Sequence, residues 1–170
     1  MSPPPITLLT KARVTMSTES SNAAVNLERW HQHVRGELPG GLDELLHDDC
    51  VFHSPVVFTP QAGKELTKLY LNAAGSTFSE GNTEQRPGSP GSKFRYVREV
   101  ASGNDVVLEF ETEMDGKYIN GIDMMTFDEA GKITEFKVMV RPLQAVNLLH
   151  MKMKAMLESM QSAGSQADSQ

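Results

Sequence analysis

The sequence predicts an α+β domain in which a curved antiparallel sheet wraps around N-terminal helices and a further helix follows the sheet. Two observations carry this prediction. Apolar residues recur at helical spacing up to residue 74, whereas from residue 94 onwards they fall at every second position. The turns in this second half are too short for crossover helices, so successive strands must run antiparallel. A sheet wrapped around helices forms a cone with a cavity at its open end.

Three helices and one short strand are predicted in the first half. The first helix covers residues 26–38 and is stopped by a Pro-Gly-Gly sequence. A second, short helix covers residues 42–47, and residues 50–53 form a strand that a proline ends. The third helix covers residues 63–74, with Gly75 in position to terminate it.

The second half of the sequence is predicted to form the sheet. Alternating side chains indicate strands at residues 94–100, 106–112, 118–127 and 133–140, and short turns containing glycine separate them. The last helix begins after Pro142 and carries one apolar stripe. The four strands are therefore expected to form an antiparallel meander that ends in a helix.

Both ends and one loop are predicted to lie outside the packed domain. Residues 1–22 contain Pro, Ser and Thr without a period and indicate a disordered extension, and residues 161–170 indicate a disordered, solvated tail. The domain is expected at residues 23–160. Within it, residues 79–92 contain almost no apolar side chain and have the length of a lid or a variable insertion.

Charge and composition exclude several classes of partner. The 170 residues carry a formal net charge of -6 without clusters of Lys and Arg, whereas nucleic acids and anionic membranes require a concentrated positive surface. No apolar run approaches the length of a bilayer span. Cys50, the sole cysteine, cannot form an intramolecular disulfide. We therefore expect a cytoplasmic protein with no nucleic-acid partner and no membrane partner.

One carboxylate, that of Asp123, occupies a position where a sheet normally carries an apolar side chain. Side chains two apart on a strand share a face, so Asp123 belongs to a row with Ile119, Gly121, Met125 and Phe127. Apolar surroundings perturb the pKa of a carboxyl group, and such groups are over-represented at functional sites. The alternative is a structural role, in which Asp123 bonds a backbone N–H or an arginine.

Two segments carry a resemblance to a known family. Residues 45–55 (LLHDDCVFHSP) and 122–133 (IDMMTFDEAGKI), with the order of the elements, resemble the nuclear transport factor 2-like superfamily, especially its SnoaL-like and ketosteroid isomerase-like branches. The sequence at residues 141–143 (RPL) resembles SnoaL-like proteins in particular. The resemblance implies a cone-shaped fold that forms homodimers through the outer face of the sheet. The resemblance says little about the reaction, because isomerases, cyclases, dehydratases, epoxide hydrolases and adaptors share this cone-shaped fold.

The resemblance implies roles for three positions. Ketosteroid isomerase combines an Asp base with an oxyanion hole made from a Tyr and a protonated Asp. The protonated Asp falls on Asp123, which in SnoaL-like cyclases is the position of the acid/base residue. The base falls on Ser54, whose hydroxyl cannot remove a proton from carbon unaided. The Tyr falls on Trp30, whose indole N–H can donate a hydrogen bond.

His53 is the candidate for the missing base, because an imidazole titrates near neutral pH. Neighbouring strand residues face opposite sides, however, so His53 and Ser54 share a cavity only if the strand twists at Pro55; a rim histidine is the alternative. No motif for a metal, nucleotide or flavin is present, so no cofactor is expected. The candidates for lining the cavity, for which core packing is the alternative role, are Trp30, Ser54, Tyr70, Tyr96, Phe110 and Met125.

These observations predict a protein that binds a small apolar molecule bearing a carbonyl or hydroxyl group, of polyketide, steroid or terpenoid type. Asp123 and His53 would catalyse a cofactor-free acid/base isomerisation or cyclisation. The main alternative is a non-catalytic ligand-binding or dimerising module, favoured by the altered base and tyrosine positions. Dehydration or epoxide hydrolysis is a further alternative, the latter requiring Asp123 to act with Arg98 and with Glu109 or Glu111.

Overall fold

The computed structural model describes residues 19–79 and 93–167. The helices are α1 (Glu19–Arg35), α2 (Gly41–Leu45), α3 (Lys64–Ser79) and α4 (Leu143–Ala167). The strands are β1 (Leu46–His53), β2 (Gln61–Ala62), β3 (Arg95–Ser102), β4 (Asp105–Met114), β5 (Lys117–Phe127) and β6 (Ile133–Arg141). This order confirms the predicted succession of helices, sheet and final helix, although β2 has no counterpart among the predicted elements. None of the helices within these residues has the length and apolar composition of a membrane span.

One curved sheet contains the six strands in the order β2-β1-β6-β5-β4-β3. The predicted meander is confirmed, because each successive pair from β3 to β6 is antiparallel. The sheet as a whole is mixed rather than antiparallel, since β1 lies beside β6 and runs parallel to it, with Phe52 opposite Phe136. Parallel neighbours need a long connection, and α3 together with the strands β3 to β5 supplies it.

A β-bulge in β3 determines which of its side chains face the helices. The pairing of β3 with β4 shifts between Tyr96 and Arg98, so that Val97 is an extra residue. Plain alternation would place Arg98 on the same face as Tyr96. The bulge places Glu99 there instead, opposite the fully buried Leu108 of β4.

The helices extend beyond their predicted ends. α1 begins at Glu19 and α4 continues to Ala167, so helical structure reaches past residues 23 and 160, the expected domain boundaries, which remain predictions. Gly75 lies inside α3 and does not end it. A glycine in a helix is unfavourable by only about 1 kcal/mol relative to alanine, which the packing of the helix overcomes. Residues 80–92, which make up nearly all of the predicted lid, lie outside the described residues.

Two hydrophobic clusters cover the inner face of the sheet, which is the face turned towards the helices. The first includes Trp30 of α1 and Met125 of β5, and the second includes Phe110 of β4 and Leu149 of α4. Tyr96 packs against both clusters. The side chain of Tyr96 therefore lies between the two clusters on the inner face.

Candidate functional site

Asp123 lies on the inner face of β5, with only 7% of the residue exposed to solvent. Ile119, Met125 and Phe127, which share its face, are almost completely buried, so the apolar row predicted from the alternation is confirmed. Asp123 pairs in register with Leu108 on β4, which also has no exposed surface. The sheet thus holds one carboxyl group inside an apolar wall.

A chain of two hydrogen bonds leads from α1 to this carboxyl group. The indole Nε1–H of Trp30 donates to the hydroxyl oxygen of Tyr96 at 3.0 Å. The Tyr96 hydroxyl in turn donates to Oδ2 of Asp123 at 2.9 Å. Trp30 was expected in the position of an isomerase tyrosine; in the structure its N–H orients a tyrosine that β3 supplies. The phenol beside Asp123 thus comes from the sheet and not from the first helix.

Burial has the largest effect on the pKa values of both Asp123 and Tyr96. Desolvation raises the pKa of Asp123 from 3.8 to about 7, against the hydrogen bond from Tyr96, which lowers it. Desolvation and the nearby charge of Asp123 raise the pKa of Tyr96 well above its ordinary value, while the hydrogen bond from Trp30 lowers it. Near neutral pH, Asp123 therefore exchanges readily between its charged and neutral forms, and Tyr96 keeps its proton.

A histidine and a glutamate complete the surroundings of Tyr96. The ring of His31 contacts the ring of Tyr96 edge to face, with the ring centroids 5.6 Å apart. Nε2 of His31 lies 2.9 Å from Oε1 of Glu99 on β3. His31 follows Trp30 directly on α1, so consecutive residues of one helix hold Tyr96 by its hydroxyl and by its ring. Neither His31 nor Glu99 was among the predicted site residues.

His31 and Glu99 differ in whether the sequence could have indicated their position near Tyr96. His31 lies beside Trp30 on a predicted helix, and that neighbourhood was a usable signal. Glu99 had none, because strict alternation along β3 assigns it to the face opposite Tyr96. Only the bulge at Val97 moves it to the inner face.

The structure does not bring His53 to Asp123. His53 ends β1, next to Lys137 in the pairing with β6, and its Nε2 lies 3.6 Å from Oε1 of Glu135. Phe52, its neighbour, is buried on the inner face, so His53 points to the outer face of the sheet. We expected His53 to act together with Asp123. The structure corrects this expectation, because the two side chains lie on opposite faces of the sheet.

Ser54 and Tyr70 lie at a separate cleft between the loop after β1 and helices α3 and α4. The cleft has a volume of about 230 Å³, and Val56 and Met153 also line it. The Ser54 hydroxyl accepts hydrogen bonds from the N–H groups of Val56 at 3.2 Å and Val57 at 3.3 Å, which stabilises the turn after β1. The predicted substrate-binding residues are therefore divided between two places.

A series of aromatic rings lies between the cleft and Trp30. Tyr70 contacts Phe52, Phe52 contacts Phe136, and Phe136 contacts Trp30, with centroid separations of 5.3, 6.1 and 5.1 Å. Rings at these separations form a continuous apolar wall. The wall connects the cleft with the Asp123 site through packing contacts.

Phe110 and Met125, the remaining predicted lining residues, are 1% exposed and belong to the core clusters. The ring of Phe110 lies over Gly121, where an added Cβ would be 2.3 Å from its Cζ atom. Glycine is therefore needed in the row of Asp123 because a neighbouring ring occupies the space of a side chain. Both residues shape the wall around Asp123 and add no polar group to it.

The groups suggested for epoxide hydrolysis do not surround Asp123. Glu109 lies within 3.5 Å of Arg98 on the outer face, and Arg95 binds Glu111 there at 2.7 Å. The sheet separates these pairs from Asp123. Among the residues that the structure describes, no three His, Cys, Asp or Glu side chains are grouped so that they could hold a metal ion.

The arrangement at Asp123 suits a ligand oxygen with a developing negative charge. In its neutral form the carboxyl group donates a hydrogen bond to such an oxygen, and the Tyr96 hydroxyl, which donates to Oδ2, holds the carboxyl group in position. Buried donors of this kind stabilise an oxyanion more strongly than water does. In its charged form Asp123 accepts a proton instead, so one residue offers both directions of transfer.

Comparisons with known proteins agree with this fold. The family model described as the SnoaL-like domain matches residues 27–136, a range that includes Trp30, Tyr96 and Asp123. No curated protein matches the sequence.

Solved structures resemble the chain over most of its length. A steroid delta-isomerase from Pseudomonas aeruginosa is 35% identical, with 84% of this chain and 96% of that chain covered and a TM-score of 0.71. An uncharacterized bacterial protein with a cystatin-like fold from Silicibacter pomeroyi is 27% identical, with 78% and 85% covered and a TM-score of 0.65. An NTF2-like protein of unknown function from Mesorhizobium loti is 20% identical, with 75% and 98% covered and a TM-score of 0.58.

Proposed function

The chain belongs to the SnoaL-like domain family of the NTF2-like superfamily, and on that premise we propose that it binds a small apolar ketone or alcohol at Asp123 and catalyses a cofactor-free proton transfer. The observation that carries the proposal is the buried sequence of hydrogen bonds from Trp30 through Tyr96 to Asp123. It places two O–H donors in an apolar wall, one of them with a pKa of about 7.

Proton removal next to a carbonyl group is the reaction that such donors favour. When a base takes that proton, the electrons move onto the carbonyl oxygen and form an enolate. The hydrogen bond from neutral Asp123, which Tyr96 holds in position, would stabilise the enolate, and a proton returned at another carbon would complete an isomerisation. A carboxylic acid that is kept neutral by an apolar site serves this purpose in ketosteroid isomerase.

The substrate class follows from the walls and from one relative. Trp30, Phe110 and Met125 make the surroundings of the Asp123 site apolar, which favours a ring system with few polar groups. The similarity to a steroid delta-isomerase at 35% identity supports a steroid-type ketone as the first compound to test, with polyketides and terpenoids of similar size next.

Ligand binding without catalysis is the second candidate function. It is favoured by Ser54, which stands where the resemblance implies a base and uses its hydroxyl to accept two backbone hydrogen bonds. A hydroxyl engaged in a turn has no means of becoming a base. The two candidates differ in one result, since both predict binding and only the first predicts turnover.

A second copy of the chain is the proposed partner, in a cytoplasmic setting. The outer face of the sheet exposes apolar side chains that a second sheet would cover, among them Val100, Tyr118 and Met139, each more than half exposed. The ion pairs Arg95–Glu111 and Arg98–Glu109 lie on the same face. Apolar surface framed by paired charges is typical of an interface between subunits.

The experiment uses a Δ5-3-ketosteroid and the fluorescent phenol 2-naphthol. Wild-type protein is expected to convert the steroid to its conjugated Δ4 isomer, followed by the absorbance of the enone, and to bind 2-naphthol. Asp123→Asn should reduce turnover by about 10²- to 10⁴-fold, because it removes the transferable proton and preserves the shape of the side chain. Asp49→Asn, at an exposed position on β1, is the matched control and should retain wild-type turnover.

Two outcomes count against catalysis. If wild-type protein binds 2-naphthol and turns over no ketone of the steroid, polyketide or terpenoid type, it is a binding module. If Asp123→Asn is as active as Asp49→Asn, the reaction takes place elsewhere in the protein.

A further inference from the structure

Neutral Asp123, held in position by Tyr96, provides a donor for an oxyanion, but an isomerisation also needs a group that takes the proton from carbon. The two residues expected in that role do not supply it at this site. His53 lies on the outer face beside Glu135, and the Ser54 hydroxyl accepts backbone hydrogen bonds at the cleft. While Asp123 acts as the neutral donor, a base among the described residues has to be another side chain close to Tyr96.

His31 has the required position. Its ring contacts Tyr96, whose hydroxyl is bonded to Asp123, so a single side chain separates the imidazole from the carboxyl group. Glu99, whose Oε1 lies 2.9 Å from Nε2 of His31, is on β3, and its register partner Leu108 is in turn the partner of Asp123 on β5. Glu99 on β3 and Asp123 on β5 thus lie on either side of Leu108, and His31 contacts Glu99 from α1.

The contact with Glu99 determines which nitrogen of His31 is basic. A carboxylate oxygen 2.9 Å from Nε2 favours the tautomer with the proton on Nε2, which leaves the lone pair of a neutral imidazole on Nδ1. Within the described residues, Nδ1 of His31 has no hydrogen-bond partner in the protein. Glu99 also stabilises the imidazolium that forms when Nδ1 takes a proton, which is the role of the aspartate in catalytic triads.

We propose that His31 is the proton acceptor of the Asp123 site and that Glu99 is its positioning residue; this inference rests on the proposed function and adds the missing base to it. In the step, the C–H bond next to the ligand carbonyl breaks and an N–H bond forms at Nδ1. The electron pair of the C–H bond forms the enolate, whose oxygen takes a hydrogen bond from neutral Asp123, which Tyr96 holds in position. His31 then returns the proton to a different carbon, and the protein regains its starting state.

Among the described residues, the charged and titratable groups around His31 come from the sheet and from α1. On β3 they are Glu99, at ion-pair distance, and Tyr96, at ring contact, with Asp123 behind it. On α1, Glu28 is close enough for its pKa to be lowered by the charge of His31, although its hydrogen bonds with Arg35 and Gln32 have larger effects. Glu28 is exposed and paired with Arg35, so Glu99 is the dominant partner.

The test measures kcat and KM for the Δ5-3-ketosteroid, together with 2-naphthol binding, in the whole chain. His31→Gln should reduce kcat at least about a hundredfold and leave 2-naphthol bound. Glu99→Gln retains an oxygen that accepts from Nε2 and loses the charge. It should therefore reduce kcat and leave KM and 2-naphthol binding near wild type, a split that a purely structural glutamate would not cause. His47→Gln, on β1 away from the site, is the matched control.

The outcomes separate this inference from the proposed function. If Asp123→Asn loses turnover and His31→Gln stays within about threefold of wild type, His31 is not the base and the Asp123 site stands. If Glu99→Gln lowers kcat and 2-naphthol binding together, Glu99 supports the structure of the site and does not act through His31. A wild type that neither binds 2-naphthol nor converts the ketone would overturn the proposed function, and this inference with it.

Discussion

The hydroxyl of Tyr96 on β3 reaches across β4 to Oδ2 of Asp123 on β5, at 2.9 Å. The two residues are not register partners: the position on β5 that corresponds to Tyr96, through Phe110, is Gly121. The phenol therefore crosses the sheet diagonally, one row away from its own. A contact of this kind depends on the twist of the sheet.

Removal of the Tyr96 hydroxyl should raise the pKa of Asp123 above its value of about 7, because the hydrogen bond from Tyr96 stabilises the charged carboxylate. The change is Tyr96→Phe, and the measurement is an NMR titration of the ¹³C-labelled Asp123 carboxyl carbon. A pKa that falls or stays constant would mean that the hydrogen bond does not act on the charged form.

The same substitution should destabilise the fold by about 1–3 kcal/mol, since it leaves the buried N–H of Trp30 without its acceptor. Urea denaturation of Tyr96→Phe, followed by tryptophan fluorescence, measures this loss. Tyr118→Phe, at a half-exposed position on the outer face, is the control and should cost less.

Asp123→Asn should change how stability depends on pH. Folding raises the pKa of Asp123 from 3.8 to about 7, so between these values the folded chain holds a proton that the unfolded chain has lost. The stability that this proton provides is complete below pH 3.8 and is lost as the pH rises to about 7. At about 1.4 kcal/mol per pKa unit, the loss reaches about 4 kcal/mol.

Asparagine has no such titration, so the variant should gain stability relative to wild type as the pH rises from 4 to 8, on the order of a few kcal/mol. The free energy of unfolding of both proteins, measured at several pH values in urea, gives the difference directly. Parallel curves would show that Asp123 is charged in the folded state at all these pH values.

Gly121→Ala should be destabilising by about 1–3 kcal/mol, because the new Cβ would overlap the Phe110 ring and approach the backbone oxygen of Met139. Gly75→Ala is the matched control: apart from its chain neighbours and the backbone of its own helix, no described atom lies within 4 Å of its Cβ position, and alanine favours a helix. It should stabilise α3 by up to about 1 kcal/mol. Equal effects of the two substitutions on the thermal midpoint would contradict the contact over Gly121.

Charge placed on the outer face of the sheet should separate the proposed dimer. Met139→Glu introduces a carboxylate at a side chain that is 53% exposed and would be buried between two copies. Sedimentation velocity should show a dimer for wild type and a monomer for the variant. Val25→Glu, at an exposed position on α1, should stay dimeric. If the wild-type protein stays monomeric at all concentrations, the proposed dimer is wrong.

The predictable and unpredictable parts of the site differ in the range of the interactions that determine them. Asp123 was identified from its own strand, because the alternation that buries Met125 and Phe127 also buries the carboxyl group. The hydrogen bond with Tyr96 depends on a diagonal contact between strands, and the position of Glu99 depends on a bulge. Local periodicity carries no information about either.

The fold shows the same division. The meander from β3 to β6 follows from alternation and short turns, so its strands were predicted to within a few residues. The parallel position of β1 beside β6 has no local signal, because it joins segments from the two halves of the chain. For His53, the alternation rule already indicated that it could not share a face with Ser54 unless the strand twisted, and in the structure it lies on the outer face beside Glu135.

The parallel pairing of β1 with β6 also has a consequence for synthesis of the protein. Leu46 pairs with Ile133 and His53 with Lys137, so β1 leaves the ribosome long before its partner strand exists. Until then its N–H and C=O groups on that side form an open edge, and such edges recruit other chains. The meander can assemble from neighbouring segments, whereas β1 must wait until β6 has been translated. β6, the last strand to be synthesised, therefore covers the open edge of β1, the first strand to be synthesised.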